Sequence, residues 1–130
     1  MSFPNAACMR ILIVEDSATM RQVLRFALTR LKNVEIVEAQ DGLDGFRKLS
    51  ADHFDLVLID VNMPVMDGLK LIGLIRNDDD LHDIPIVVIT TEGAEADRAR
   101  GISLGANEYL TKPLQTNRVL AIAKSLLKLD

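Results

Sequence analysis

Three short apolar stretches of this chain and one further short strand end at or run into residues that can do chemistry. Ile11-Leu12-Ile13-Val14 ends at Glu15-Asp16, Leu56-Val57-Leu58-Ile59 at Asp60, Ile86-Val87-Val88-Ile89 at Thr90, and Glu108-Tyr109-Leu110 runs into Lys112. From Asp16 to Asp60, to Thr90 and to Lys112 the gaps are 44, 30 and 22 residues, so only a fold that aligns the four ends can make one site of them. Three carboxylates crowded together repel and cannot all stay ionised without positive charge between them, which asks for a hard divalent cation. Magnesium suits the set: it takes a few carboxylate oxygens, retains waters and leaves room for a phosphate oxygen. Beside it, the Lys112 ammonium would neutralise a phosphoryl group and the Thr90 hydroxyl would donate a hydrogen bond to it. Asp60, at the tip of a central strand, is then the expected nucleophile, forming an aspartyl-phosphate, with Glu15 and Asp16 holding metal.

The elements that must position these residues can be read from the alternation of hydrophobic period. Each continuously apolar run of four reads as a strand buried on both faces. Between the first two such runs, Met20, Val23, Leu24, Ala27, Leu28 and Leu31 form a stripe of helical period. Val34–Ala39 reads as an edge strand because of Glu35 and Glu38, and Asp41 can cap a helix to about Ser50. A Met-Pro turn and Gly68 open a helix to about Arg76. A weaker helix spans roughly Ala94 to Leu104; Gly101 costs it about 1 kcal/mol relative to Ala, which marks it as a candidate mobile element. Past Pro113, a last helix has Val119, Ile122, Ala123, Leu126 and Leu127 on its apolar face. Five strands alternating with five helices imply a parallel sheet covered on both faces, with ligands bound beyond the carboxyl ends of its strands.

Composition narrows the class. The chain has 130 residues, 48% hydrophobic and 26% charged, which excludes disorder and fits one globular domain over 1–130 with its core in about 10–128. No linker, repeat or low-complexity tract divides it. Apolar runs of four to five residues fall far short of the roughly 20 needed to span a bilayer, and no leader is legible at the N-terminus, so a cytoplasmic location is expected. The single cysteine, Cys8, forms no internal disulfide, and a net charge of −4 without basic clusters argues against nucleic acid as the main partner.

The segments Ile13-Val14-Glu15-Asp16-Ser17, Asp60-Val61-Asn62-Met63-Pro64-Val65-Met66-Asp67-Gly68, Thr90-Thr91-Glu92-Gly93 and Thr111-Lys112-Pro113, in this order, resemble the receiver domain of two-component response regulators over nearly the whole chain. The resemblance implies a flavodoxin-like α/β fold with strand order 2-1-3-4-5 and phosphorylation of Asp60 by a histidine kinase. It implies Mg²⁺ held by Asp16, Asp60 and the Asn62 carbonyl, with Glu15, where Asp is common in the family, acting through water. It further implies that such a domain catalyses its own phosphoryl transfer and dephosphorylation without being a dedicated enzyme. Activation would move Thr90 towards the phosphoryl group and turn Tyr109 inward, remodelling the face of helix 4, strand 5 and helix 5. Asn62 and Glu92 occupy the positions that set phosphoryl lifetime, and this pair resembles that of the chemotaxis regulators. With no output domain in the chain, the expected target is the flagellar motor switch; a phosphatase is a further candidate partner.

Other uses of the same residues stay open. A stand-alone receiver serving as a phosphate sink or relay intermediate would share every site residue. A Mg²⁺-dependent phosphohydrolase with an Asp nucleophile would place a second carboxylate two residues on, where Asn62 stands. An FMN binder would need a Ser/Thr/Gly-rich cradle after the first strand, and Trp is absent. Glu15 and Asp16 as caps of the first helix are the plainer alternative to metal ligands. Asp67 is read as the cap of helix 3, Asp78, Asp79, Asp80 and Asp83 as a solvated loop, and His53, His82 and the scattered methionines as surface or filler residues.

Overall fold

The computed structural model describes residues 8–91 and 93–129. Five strands, β1 (Met9–Val14), β2 (Val34–Ala39), β3 (Leu56–Asp60), β4 (Ile86–Thr91) and β5 (Glu108–Lys112), alternate with α1 (Ala18–Leu28), α2 (Gly42–Ala51), α3 (Gly68–Arg76), α4 (Glu95–Leu104) and α5 (Thr116–Leu127). All pairings are parallel, in the order β2-β1-β3-β4-β5.

Side chains alternate across the sheet, so each central strand feeds two cores. Leu12, Val14, Val57, Ile59, Ile86 and Val88 pack towards α2 and α3, joined by Leu49, Leu71, Ile72 and Ile75. Ile11, Ile13, Leu56, Leu58, Val87 and Ile89 pack towards α1 and α5, joined by Leu24, Leu28, Val119 and Ile122. This two-sided burial is why the runs are continuously apolar. The caps follow the sequence: Ser17, Asp41 and Asp67 accept hydrogen bonds from the N–H groups of Met20, Asp44 and Lys70. Leu31 departs from expectation. It is buried at 7% exposure but lies outside α1, which ends at Leu28, because the chain turns there to enter the edge strand.

α4 is the least anchored helix. Gly101 is its one buried residue, Ile102 and Leu104 face solvent, and its N-cap residue Ala94 makes no side-chain bond. Gly101 has a packing reason: a Cβ there would lie 3.1 Å from Val88 Cγ1, so glycine lets the helix backbone settle on β4. At the other end, Arg76 on α3 donates to the carbonyls of His82, Ile84 and Gly105 and to Asn107 Oδ1, tying the turn after α4 to the end of α3.

Asp79, Asp80 and Asp83 of the acidic loop are exposed, while Asp78 Oδ1 accepts the N–H groups of Asp80 and Leu81. His53 and His82 are exposed, beside Asp55 and Asp83 respectively. Cys8 precedes β1 and is a free thiol. No helix among the described residues is long and apolar enough to cross a membrane.

Candidate functional site

The parallel register brings the carboxyl ends of β1, β3, β4 and β5 to one edge of the sheet. Glu15, directly after β1, and Asp60, the last residue of β3, are buried at 0% and 1% exposure. Asp16, one residue on, is exposed. One carboxylate oxygen from each of the three lies within 4.8 Å of the others. Lys112, ending β5, reaches across β4 to place its Nζ 3.1 Å from Asp60 Oδ2 and 3.8 Å from Glu15 Oε1. Asp60 Oδ1 accepts the Asn62 backbone N–H at 3.2 Å, so both Asp60 oxygens are held and the carboxylate has a set orientation.

The site carries more negative charge than its lysine can balance. Burying a charge is costly unless it is paired and hydrogen-bonded. Glu15 Oε2 accepts the Ser17 N–H, but Oε1 is buried with no hydrogen-bond partner. Burial, then the neighbouring Asp60 carboxylate, pushes the Glu15 carboxyl up to about 8 even with Lys112 nearby. The Thr90 hydroxyl is likewise buried and unpartnered. Three converging carboxylates, one of them with an orphaned buried oxygen, make a hard, oxygen-only donor set with a surplus of negative charge, and that set fits Mg²⁺.

Backbone packing fixes this edge. A Cβ on Gly68, the first residue of α3, would lie 2.3 Å from the Asp60 carbonyl oxygen, so only glycine lets α3 start against the end of β3. Arg21 on α1 donates to the Glu15 carbonyl at 2.7 Å and to Glu38 at 2.9 Å, buttressing the turn that presents Glu15 and Asp16. Asn62 Nδ2 donates to Thr91 Oγ1 at 3.3 Å, linking the loop after β3 to the end of β4. The sequence reading missed the parts played by Gly68, Arg21 and Thr91; a glycine at a strand-to-helix junction is the one signal that pointed to any of them.

Tyr109 is not in the acidic cluster. It is half-buried on β5 in register with Val88 and packs against the core on the α2–α3 side; strand alternation puts Thr90 on that same face. Glu92, the remaining candidate, lies outside the described residues.

A doubly wound parallel sheet with buried carboxylates and a lysine gathered where its central strands end defines an α/β domain with an anionic pocket at its switch point. The chain belongs to the response regulator receiver domain family, which residues 11–124 match, and so to two-component signalling. It is 42% identical over 106 residues to the chemotaxis protein CheY1 of Helicobacter pylori, covering 81% of this chain and 86% of that protein. To a chemotaxis protein CheY homolog of Campylobacter jejuni it is 39% identical, covering 81% and 82%. Among solved structures, the chemotaxis response regulator CheY4 of Vibrio cholerae superposes with a TM-score of 0.84 at 29% identity, covering 92% of this chain and 99% of that one.

Proposed function

We propose that this receiver accepts a phosphoryl group on Asp60 from a histidine kinase and, so modified, binds the flagellar motor switch through the surface of α4, β5 and α5. The observation that carries the reading is the Lys112 Nζ at 3.1 Å from Asp60 Oδ2 within the cluster of Glu15, Asp16 and Asp60. Chemotaxis is supported by the relatives named above, and the target is taken from it.

Asp16, Asp60 and the Asn62 carbonyl are the groups that would hold Mg²⁺, with Glu15 behind them; when bound, the ion supplies positive charge against the phosphoryl oxygens. An Asp60 oxygen attacks phosphorus, forming an O–P bond as the N–P bond of a phosphohistidine breaks and the electron pair leaves on the imidazole nitrogen. Lys112 keeps the carboxylate oriented before transfer and offers an ammonium to the phosphoryl oxygens after it. The Thr90 hydroxyl, lacking a partner in this state, gains one in the phosphoryl group. That new bond favours an arrangement in which Tyr109 turns inward and the α4–β5–α5 surface changes shape. Attack of water on phosphorus breaks the O–P bond, releases inorganic phosphate and returns Asp60, at a rate set by the residue types Asn62 and Glu92.

Incubation with acetyl phosphate and Mg²⁺ should label the wild type, detected by intact mass, and leave Asp60→Asn unlabelled. Label on the variant would overturn the nucleophile assignment. Beryllofluoride with Mg²⁺ should tighten binding to a motor switch protein peptide, and unchanged affinity would remove that output and leave a phosphoryl store or relay.

A further inference from the structure

Arg98 on α4 places its guanidinium carbon 4.8 Å from the centre of the Tyr109 ring on β5. The same guanidinium donates from Nε to Glu95 Oε2 at 2.7 Å, one turn earlier on α4. Carboxylate, cation and ring are thus joined across the seam between a helix and the strand beside it. The seam has little else that is specific, because α4 buries only Gly101 and lacks a side-chain cap at its start.

We propose that Arg98 is a positioning residue for Tyr109: aimed by Glu95, its guanidinium holds the ring at the α4–β5 seam and opposes its inward turn, biasing the receiver towards its resting state. The inference rests on the reading above in taking Tyr109 as the residue that moves. A cation over a ring face is attracted by the ring quadrupole, and that attraction is lost when the ring leaves. Thr90, on the same face of the sheet, has the unpartnered hydroxyl whose movement would make room for the ring. The contact stabilises the resting arrangement alone, so removing it shifts the two-state equilibrium towards the active one. Loss of a contact of this kind corresponds to roughly a two- to fivefold shift in that equilibrium.

Tyr109 is the only tyrosine and the chain has no tryptophan, so intrinsic emission reports this ring alone. Two readouts are compared in the wild type, Arg98→Gln, Arg98→Lys and Glu95→Gln: acrylamide quenching of Tyr109 emission without ligand, and half-saturation by beryllofluoride at fixed Mg²⁺, followed by calorimetry. Arg98→Gln should be quenched less readily, because its ring turns inward more often, and should half-saturate at roughly two- to fivefold lower mimic. Arg98→Lys should stay near the wild type, and Glu95→Gln should fall between. In a Tyr109→Leu background Arg98→Gln should shift mimic affinity no further. Unchanged quenching and affinity in Arg98→Gln would overturn the proposal, as would a shift that survives Tyr109→Leu. If Arg98→Gln does not fold, Glu95→Gln carries both readouts, and wild-type behaviour there overturns it. If the wild type fails to bind the mimic, the phosphorylation reading fails by itself, and quenching alone then decides whether Arg98 positions the ring.

Discussion

Val65 holds φ at 67° in the loop between β3 and α3, with 86% of its surface exposed. A β-branched residue in the left-handed region is strained, and an exposed side chain returns little packing for it. Val65→Gly should therefore raise stability by about 1 kcal/mol, the strain relieved exceeding the extra freedom of the unfolded glycine, read as a higher urea midpoint; a lower midpoint would show that the side chain holds the loop. Glu15 and Asp16 illustrate what sequence can and cannot say at this scale. The convergence of the pair with Asp60 was legible because both follow an apolar run, yet nothing in the letters separates the buried carboxylate from the exposed one. That difference arises where β1 ends and the chain turns over the sheet edge, with Arg21 bracing the Glu15 carbonyl. Lys112 was legible as a cation near Asp60 through strand order, whereas the bond from Asn62 to Thr91 depends on loop conformation that no residue pattern encodes.

At the scale of elements, the glycines of α3 give opposite expectations for one substitution. Gly73 lies in the helix interior with open space where a Cβ would stand, so Gly73→Ala should stabilise by about 1 kcal/mol through helix propensity. Gly68→Ala should destabilise by about 1–3 kcal/mol, because its methyl would meet the Asp60 carbonyl and neither backbone can yield freely. Chemical unfolding of the two variants checks the pair, and equal signs would refute it. The strands were legible from sequence because burial on both faces demands continuous apolar runs. α4 was legible as a weak helix, but its glycine was read as a propensity cost when its work is to let the helix approach Val88. The contact of Arg98 with Tyr109 was not legible, since 11 residues of separation between a helix and a strand carry no periodic signature.

For the whole molecule, charge and folding are linked through the pocket. The formal net charge of −4 counts Glu15, Asp16 and Asp60 as ionised, but in the folded, metal-free pocket Glu15 holds its proton at neutral pH. Glu15 titrates near 8 when folded against 4.5 ordinarily, so between those values the folded protein holds a proton that the unfolded chain has lost. Without Mg²⁺, stability from Glu15 should be fully present below about pH 4.5 and decline as pH rises towards 8, by about 1.4 kcal/mol per unit. Saturating Mg²⁺ should flatten that decline by keeping the carboxylate ionised and paired. Glu38, held low by Arg25, works the other way, losing its contribution as pH falls through the acid range. Urea unfolding at pH 5, 6.5 and 8, with and without MgCl₂, checks the sign, and a metal-free stability that does not change with pH would contradict it. The loose seating of α4 has a further consequence. Because its outward residues other than Glu95 and Arg98 bear almost none of the weight of either core, their side chains can be exchanged with little effect on the fold or on the acidic pocket.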